Sequence, residues 1–289
     1  MGNNHPLTET EYHAFQPHPL LIQHIEDCRS NFAAAKEKFS ILDWGCGKGK
    51  LVLWLRERGY NAYGVDIAHK HFEKSAELFR SKGFSVQKCL NGLDANGRAP
   101  FADLSFHFIT SWQTVEHVRD LEVVAAEWMR LTVHGGRGLH IYPSHRKLVE
   151  PHLFMPCIHW LPKKALRKWL IGFFVFINVE PYWWPKNFLS LKERACAYYE
   201  FSVNETFYRA PGAIRACLEE KGFETEFVDL FQGSELTAKT FLSALSKRRR
   251  AWYTKYRGDL WLATCLNLPR SNSACVDAQP LPTSIKLDG

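Results

Sequence analysis

The chain has 289 residues, 46% of them hydrophobic, with a formal charge of +7 at pH 7, enough for one large α/β core with an accessory layer. Its basic residues gather in Lys163-Lys164, Arg167-Lys168 and Lys247-Arg248-Arg249-Arg250 rather than in a wide basic track, so no nucleic acid is expected as a partner. The eight cysteines are scattered without a C-x-x-C pair, which argues against a disulfide framework or a zinc site and for a reducing compartment. The amino terminus lacks the charged-then-apolar layout of a secretory signal, and no apolar run is long enough to cross a bilayer; a cytoplasmic location is expected.

In chain order, residues 1–39 read as a leader with a helix from about Pro19 to Lys38. The run Ile41-Leu42-Asp43-Trp44-Gly45-Cys46-Gly47-Lys48-Gly49 comes next: an apolar strand stops at an acid, alternating glycines follow, and a helical pattern opens near Lys50. Gly45 and Gly47 allow positive φ and a close approach of backbone to a ligand, and the helix start offers unpaired N–H groups. A dinucleotide-binding turn would place glycine where Lys50 stands, which counts against a nicotinamide-dependent oxidoreductase.

The helix from Leu51 to Arg58 ends at Gly59, and a second strand, Asn61 to Asp66, closes on a carboxylate, followed by a helix from near Ala68. An acid about twenty residues beyond such a turn can accept both ribose hydroxyls. Asp94-Ala95 and the segment Pro100 to Phe106 lead into a fourth strand, Phe106 to Thr110, which runs on into Ser111-Trp112-Gln113-Thr114-Val115-Glu116-His117-Val118. A fifth strand, Gly138 to Tyr142, follows the glycine turn at Gly135-Gly136.

From Ser40 to Pro143 these motifs resemble the class I S-adenosylmethionine-dependent methyltransferases, in particular the small-molecule, type 11-like branch that reads LDxGCGxG. The stretches Ile214–Leu230 and Leu260–Leu268 fit the sixth and seventh strands more loosely. The resemblance implies a Rossmann-like, doubly wound α/β fold: a mostly parallel seven-stranded sheet with helices on both faces and a mainly helical cap insertion. It also implies S-adenosylmethionine as cofactor. Asp43, Gly45 and Gly47, with Cys46 between the glycines, would hold the methionine end. Asp66, with Ile67 beside it, would take the ribose, and Asp94 the adenine amino group. Ser111, Trp112 and Gln113 would face the sulfonium, and Glu116-His117-Val118 matches the family's helix start. Two departures stand out: the linker after Asp94 is about a residue longer than the family's, and His107 replaces its aspartate.

The methyltransferase domain spans 40–268, with an insertion at 144–207 that reads as the substrate cap, and 269–289 read as a flexible tail. Within the cap, Glu150-Pro151-His152 and Pro156-Cys157-Ile158-His159-Trp160-Leu161-Pro162 put titratable groups on a proline-bounded loop. Transfer of a methyl group to oxygen benefits from a base, and His117, His145, His152 and His159 are the candidates, against the alternative that such histidines only tie loops together. A Glu-and-His metal site is conceivable, but the loop shows no complete set of ligands, so no metal is expected. The basic stretch Lys163–Lys168 beside Trp169–Ile177 and Tyr182-Trp183-Trp184-Pro185 suits either a packed cap helix or peripheral membrane contact through 163–184. The function read from these features is O-methylation of a small-molecule, glycan or lipid-linked acceptor. The alternatives are a non-catalytic cofactor-binding or scaffold protein and an RNA or protein methyltransferase. For the latter, the Asn/Asp-Pro-Pro-Tyr/Phe signature of base-amine methylation is absent where Ser111-Trp112-Gln113-Thr114 stands.

Overall fold

The computed structural model describes residues 5–67, 70–181, 189–228 and 259–266. Helices α1 (Glu9–His13) and α2 (Pro19–Asn31) precede β1 (Ser40–Trp44), α3 (Lys50–Arg56) and β2 (Asn61–Asp66). Short helices α4 (Lys70–Glu73), α5 (Ala76–Ser81) and α6 (Val86–Cys89) lead to β3 (Leu90–Gly92), then β4 (Phe106–Trp112), α7 (Leu121–Leu131) and β5 (Thr132–Pro143). The cap contributes α8 (Ala165–Phe176) and α9 (Leu191–Asn204); α10 (Pro211–Glu220), β6 (Glu224–Phe227) and β7 (Asp259–Cys265) complete the chain order.

The strands form one seven-stranded sheet in the order β3-β2-β1-β4-β5-β7-β6. Pairing is parallel from β3 to β5, and β7 runs antiparallel between β5 and β6. Ile41, Leu42, Asp43 and Trp44 of the central strand are all buried, as they must be in a strand covered on both faces. One core, with Ile25, Ile41, Val52, Leu53 and Phe79, lies under α2, α3 and α5; another, with Leu42, Ile109, Trp128, Leu218 and Leu262, lies under α7 and α10. The chain leaves β1 for β2 on one side and later returns to β4 on the other, so the order reverses between β1 and β4. That reversal opens a crevice at the carboxyl ends of the strands, where this fold class holds its ligands.

Several boundaries differ from the sequence reading. The leader helix stops at Asn31, because Ala33 adopts a positive φ of +48°. A capping box between Thr8 and Glu11 starts the additional helix α1. The fifth strand starts earlier, at Thr132, and the pairing register slips between Phe106 and Phe108, so the glycine pair sits inside a strand irregularity. The insertion folds on its own small core of Leu153, Met155, Ile158, Ile171, Val175, Tyr198 and Phe201. Residues 68–69, Tyr182–Pro185, the basic run 247–250 and the tail 269–289 lie outside the described residues.

Candidate active site

The turn after β1 is built to face a ligand. Gly45 and Gly47 take φ of +78° and +54°, conformations in which a side chain is strained. The Val65 carbonyl accepts from the amides of Gly45 at 2.8 Å and Cys46 at 3.1 Å, and the Gly47 amide donates to Asp66 Oδ2 at 2.9 Å. A Cβ on Gly45 would stand 2.3 Å from Thr114 Oγ1, so this turn and the one after β4 touch there. A Cβ on Gly47 would meet nothing within 4 Å, because the backbone at that point faces an open groove of about 430 Å³.

Asp43, Gly45, Gly47 and Trp112 line this groove, and the leader adds Glu11, Phe15, Gln16 and Pro17. Asp43 is buried at the end of β1; burial, and then the charge of Asp66, push its carboxyl up to about 7. Asp43 lines the groove together with Lys48 and Lys50, and Asp66 holds the Gly47 amide beside it, so the carboxylates at the ends of β1 and β2 suit a cationic ligand head. The groove thus fits the amino-acid tail and sulfonium of S-adenosylmethionine: a side-chain-free cradle at Gly47 beside two carboxylates. Cys46 packs inward against Gly64, where a Cβ would come within 2.6 Å of its sulfur. Ile67, 79% exposed, follows Asp66 and leaves an apolar side chain uncovered beside it.

Other expected cofactor residues are placed differently. Asp94 is exposed two residues past β3, and its Oδ1 accepts the amides of Asn96 and Arg98, both at 2.8 Å, so it caps its own turn. The Ser111 side chain does not face the groove. Strand alternation sends it inward from Trp112, and its hydroxyl meets His140 Nδ1 at 3.0 Å while that ring stacks on Trp128 at 3.9 Å. Trp112 is 40% exposed and packs edge-on against Trp261. Gln113 has a φ of +52° and binds Asp259 Oδ2 at 3.1 Å through Nε2, while Lys147 holds the other oxygen of Asp259 at 2.6 Å. Gln113 therefore joins the end of β4 to β7 and the base of the cap.

The four histidines separate into two pairs. His159 Nε2 donates to the His145 carbonyl at 3.0 Å and Trp160 Nε1 donates to the same oxygen at 2.7 Å, so this pair ties the cap loop to itself. His117 and His152 meet edge-to-face with ring centres 4.8 Å apart. His117 Nδ1 donates to the Glu205 carbonyl at 2.6 Å. His152 Nδ1 lies 3.0 Å from Glu150 Oε1 and 2.8 Å from the Tyr208 hydroxyl, which itself donates to Glu150 Oε1 at 2.5 Å. Burial alone would raise the Glu150 carboxyl, but His152, Tyr208 and the Leu153 amide outweigh it and hold Glu150 below its usual range. Beside the two rings lies Glu116, a buried acid that the sequence reading set only within the helix-start motif. A second pocket of about 300 Å³ adjoins Tyr208 and is lined by His159, Lys163, Arg167 and Arg209.

Residues 42–139 match the family described as "Methyltransferase domain". A methyltransferase, GfsG, of Streptomyces halstedii is 33% identical over 98 residues, 34% of this chain and 35% of that protein. A probable chloroplastic tocopherol O-methyltransferase of Oryza sativa subsp. japonica is 29% identical over 119 residues, 41% of this chain and 32% of that protein. The chain thus spans about a third of the length of these relatives. The crystal structure of an S-adenosylmethionine-dependent methyltransferase from Mesorhizobium loti superposes with a TM-score of 0.50 at 14% identity, covering 84% of this chain and 96% of that one, and shares the fold. Residues 42–139 are thus similar to a methyltransferase domain of the S-adenosylmethionine-dependent kind, and S-adenosylmethionine is the cofactor that such a domain uses.

Proposed function

We propose that the whole chain transfers a methyl group to an oxygen of a small-molecule, glycan or lipid-linked acceptor. The observation that carries this reading is the open, side-chain-free turn at Gly47, bonded to Asp66 and flanked by Asp43 and Trp112 at the β1/β4 crevice. Bound there, S-adenosylmethionine supplies an electrophilic methyl group on a good leaving group, so the protein's main task is positioning, which can contribute on the order of 7–11 kcal/mol. Asp43, Gly45, Cys46 and Gly47 hold the methionine end, Asp66 the ribose, and Ile67 and Asp94 border the adenine. Trp112 walls the reacting end, with Gln113 and Ser111 supporting it from behind through Asp259 and His140.

Activation of the acceptor hydroxyl falls to His117 and His152 rather than His145 and His159, since the rings of the first pair meet beside the buried Glu116 while His159 is bonded to the His145 carbonyl. The cationic pocket of Lys163, Arg167 and Arg209 suits an acceptor bearing phosphate or carboxylate. On α8, Leu166, Trp169, Phe173 and Phe176 are exposed along one face while Ile171 and Val175 pack inward, and Lys164 and Lys168 flank the exposed stripe. That pattern supports contact with a headgroup boundary and a lipid-linked acceptor. Among the described residues no helix is long and apolar enough to cross a membrane. Incubating the protein with labelled methyl donor and fractionated lipid and glycan extracts tests the reading: label in an alkali-stable ether or an ester on one fraction supports it, and label appearing only in protein or RNA overturns it.

A further inference from the structure

Glu116 is 3% exposed, and among the described residues neither of its carboxylate oxygens has a side-chain or neighbouring hydrogen-bond partner. A buried carboxylate in that state costs several kcal/mol unless a proton or a cation meets it. Two imidazoles lie close to it: His152 Nε2 is 4.0 Å from Glu116 Oε1, and one donor atom each from Glu116, His117 and His152 fall within 4.8 Å of one another.

His117 Nδ1 faces a carbonyl, which only accepts, and His152 Nδ1 faces the Glu150 carboxylate and the oxygen of Tyr208, whose hydroxyl donates to Glu150. In that arrangement both Nδ1 atoms donate and both Nε2 atoms present a lone pair. Two imidazole lone pairs and one carboxylate, each ring held from behind by a carbonyl or carboxylate, is the donor set of catalytic zinc and related sites that keep a coordination position open.

We infer that Glu116, His117 and His152 bind a divalent transition-metal ion of the zinc, cobalt or manganese kind. The nitrogen donors disfavour magnesium and calcium, which select oxygen. Bonds of about 2.0–2.2 Å set ligand atoms about 3.3–3.6 Å apart around a tetrahedral ion, so the three side chains need to close by about 0.5–1.5 Å. Three protein ligands leave at least one position for an oxygen of another molecule. The ion's use in catalysis rests on the function proposed above: an acceptor hydroxyl bound to it releases its proton to water more readily. Binding itself does not depend on that reading.

The test is titration of the metal-stripped whole chain with Zn²⁺ by calorimetry and with Co²⁺ by absorption spectroscopy, with no methyl donor present. A single equivalent is expected to bind, with cobalt showing the intense visible bands of four- or five-coordination. Glu116→Gln and His152→Asn are expected to remove those bands, and Glu150→Gln, behind His152, to weaken binding by about 10–100-fold. Circular dichroism identifies any variant that fails to fold; Glu150→Gln then serves alone, because it leaves all three ligands in place. No stoichiometric binding, or binding unchanged in every folded variant, overturns the inference. A parallel titration with S-adenosylhomocysteine reports separately on the methyl-transfer reading.

Discussion

The amide of Gly47 donates to Asp66 Oδ2 at 2.9 Å, so a single bond fixes the turn leaving β1 against the acid that closes β2. Gly47 also stands where an added Cβ meets open space, at a φ of +54°. Replacing it by valine costs about 1–2 kcal/mol of backbone strain, too little to unfold a domain of this size, and fills the groove with a branched side chain. Gly47→Val is expected to keep its far-ultraviolet spectrum and lose at least about a hundredfold in affinity for S-adenosylhomocysteine, about 2.7 kcal/mol, by calorimetry. Normal binding in that variant would remove the turn from the site.

Burial, with Asp66 beside it, raises Asp43 to about 7 in the folded, ligand-free chain, against about 3.9 when unfolded. The neutral form is favoured in the fold, so the contribution of Asp43 to stability is greatest below about pH 4 and declines as pH rises toward 7. A cationic ligand needs the charged form, and its affinity moves the other way. Affinity for S-adenosylhomocysteine is expected to be about tenfold weaker at about pH 6 than at about pH 8, with the difference lost in Asp43→Asn. A flat profile in the native chain would contradict the role of Asp43.

His140 is fully enclosed between Ser111 and Trp128, and burial lowers it to about 3. Its neutral form is required, so the stability it contributes is complete above the unfolded value of about 6.5 and is lost as pH falls below it, by about 1.4 kcal/mol per pH unit. Urea midpoints taken at about pH 7.5 and about pH 5 should show a smaller drop for His140→Gln than for the native chain. An equal drop in both would assign the acid sensitivity elsewhere.

Arg130 secures the loop between β3 and β4. It donates to the Phe101 carbonyl at 2.8 Å, the Ala99 carbonyl at 3.2 Å, Asp103 at 2.6 Å and Glu127 at 2.5 Å, while Glu127 also accepts the Ala99 amide at 2.8 Å. Arg130→Ala leaves Glu127 buried without its cation and is expected to cost about 3 kcal/mol in chemical denaturation. The surviving folded protein should bind S-adenosylhomocysteine as before, since nothing in this network reaches the groove.

The cofactor half was readable from the sequence because its signals are local. Asp43, Gly45, Gly47 and Asp66 sit at strand ends, and an apolar run stopping at an acid before alternating glycines marks such an end directly. Trp112 lines the groove while Ser111 turns away from it, because the period of two along β4 divides neighbours between the groove and the interior. The cluster proposed to meet the acceptor was hidden for a different reason. Glu116 and His117 follow β4, while Glu150, His152 and Tyr208 belong to the cap and the strap beyond it, and only the folded insertion brings them together. The leader residues that line the groove, Glu11, Phe15, Gln16 and Pro17, follow the Thr8/Glu11 capping box, a local mark of a helix start that says nothing of where the helix docks. Among the cap residues, the amphipathic split of α8 between Ile171 and Trp169 follows the helical period, whereas the partner of its exposed face is not written in that period.

The most direct measurement is a crystal structure of the chain with S-adenosylhomocysteine. The homocysteine end is expected against Gly45, Gly47 and Asp43, with the ribose hydroxyls on Asp66 and the sulfur toward Trp112. A nucleoside bound elsewhere on the chain, or crystals grown at saturating ligand that show the Gly45–Gly47 groove empty, would contradict the assignment of this crevice as the methyl-donor site.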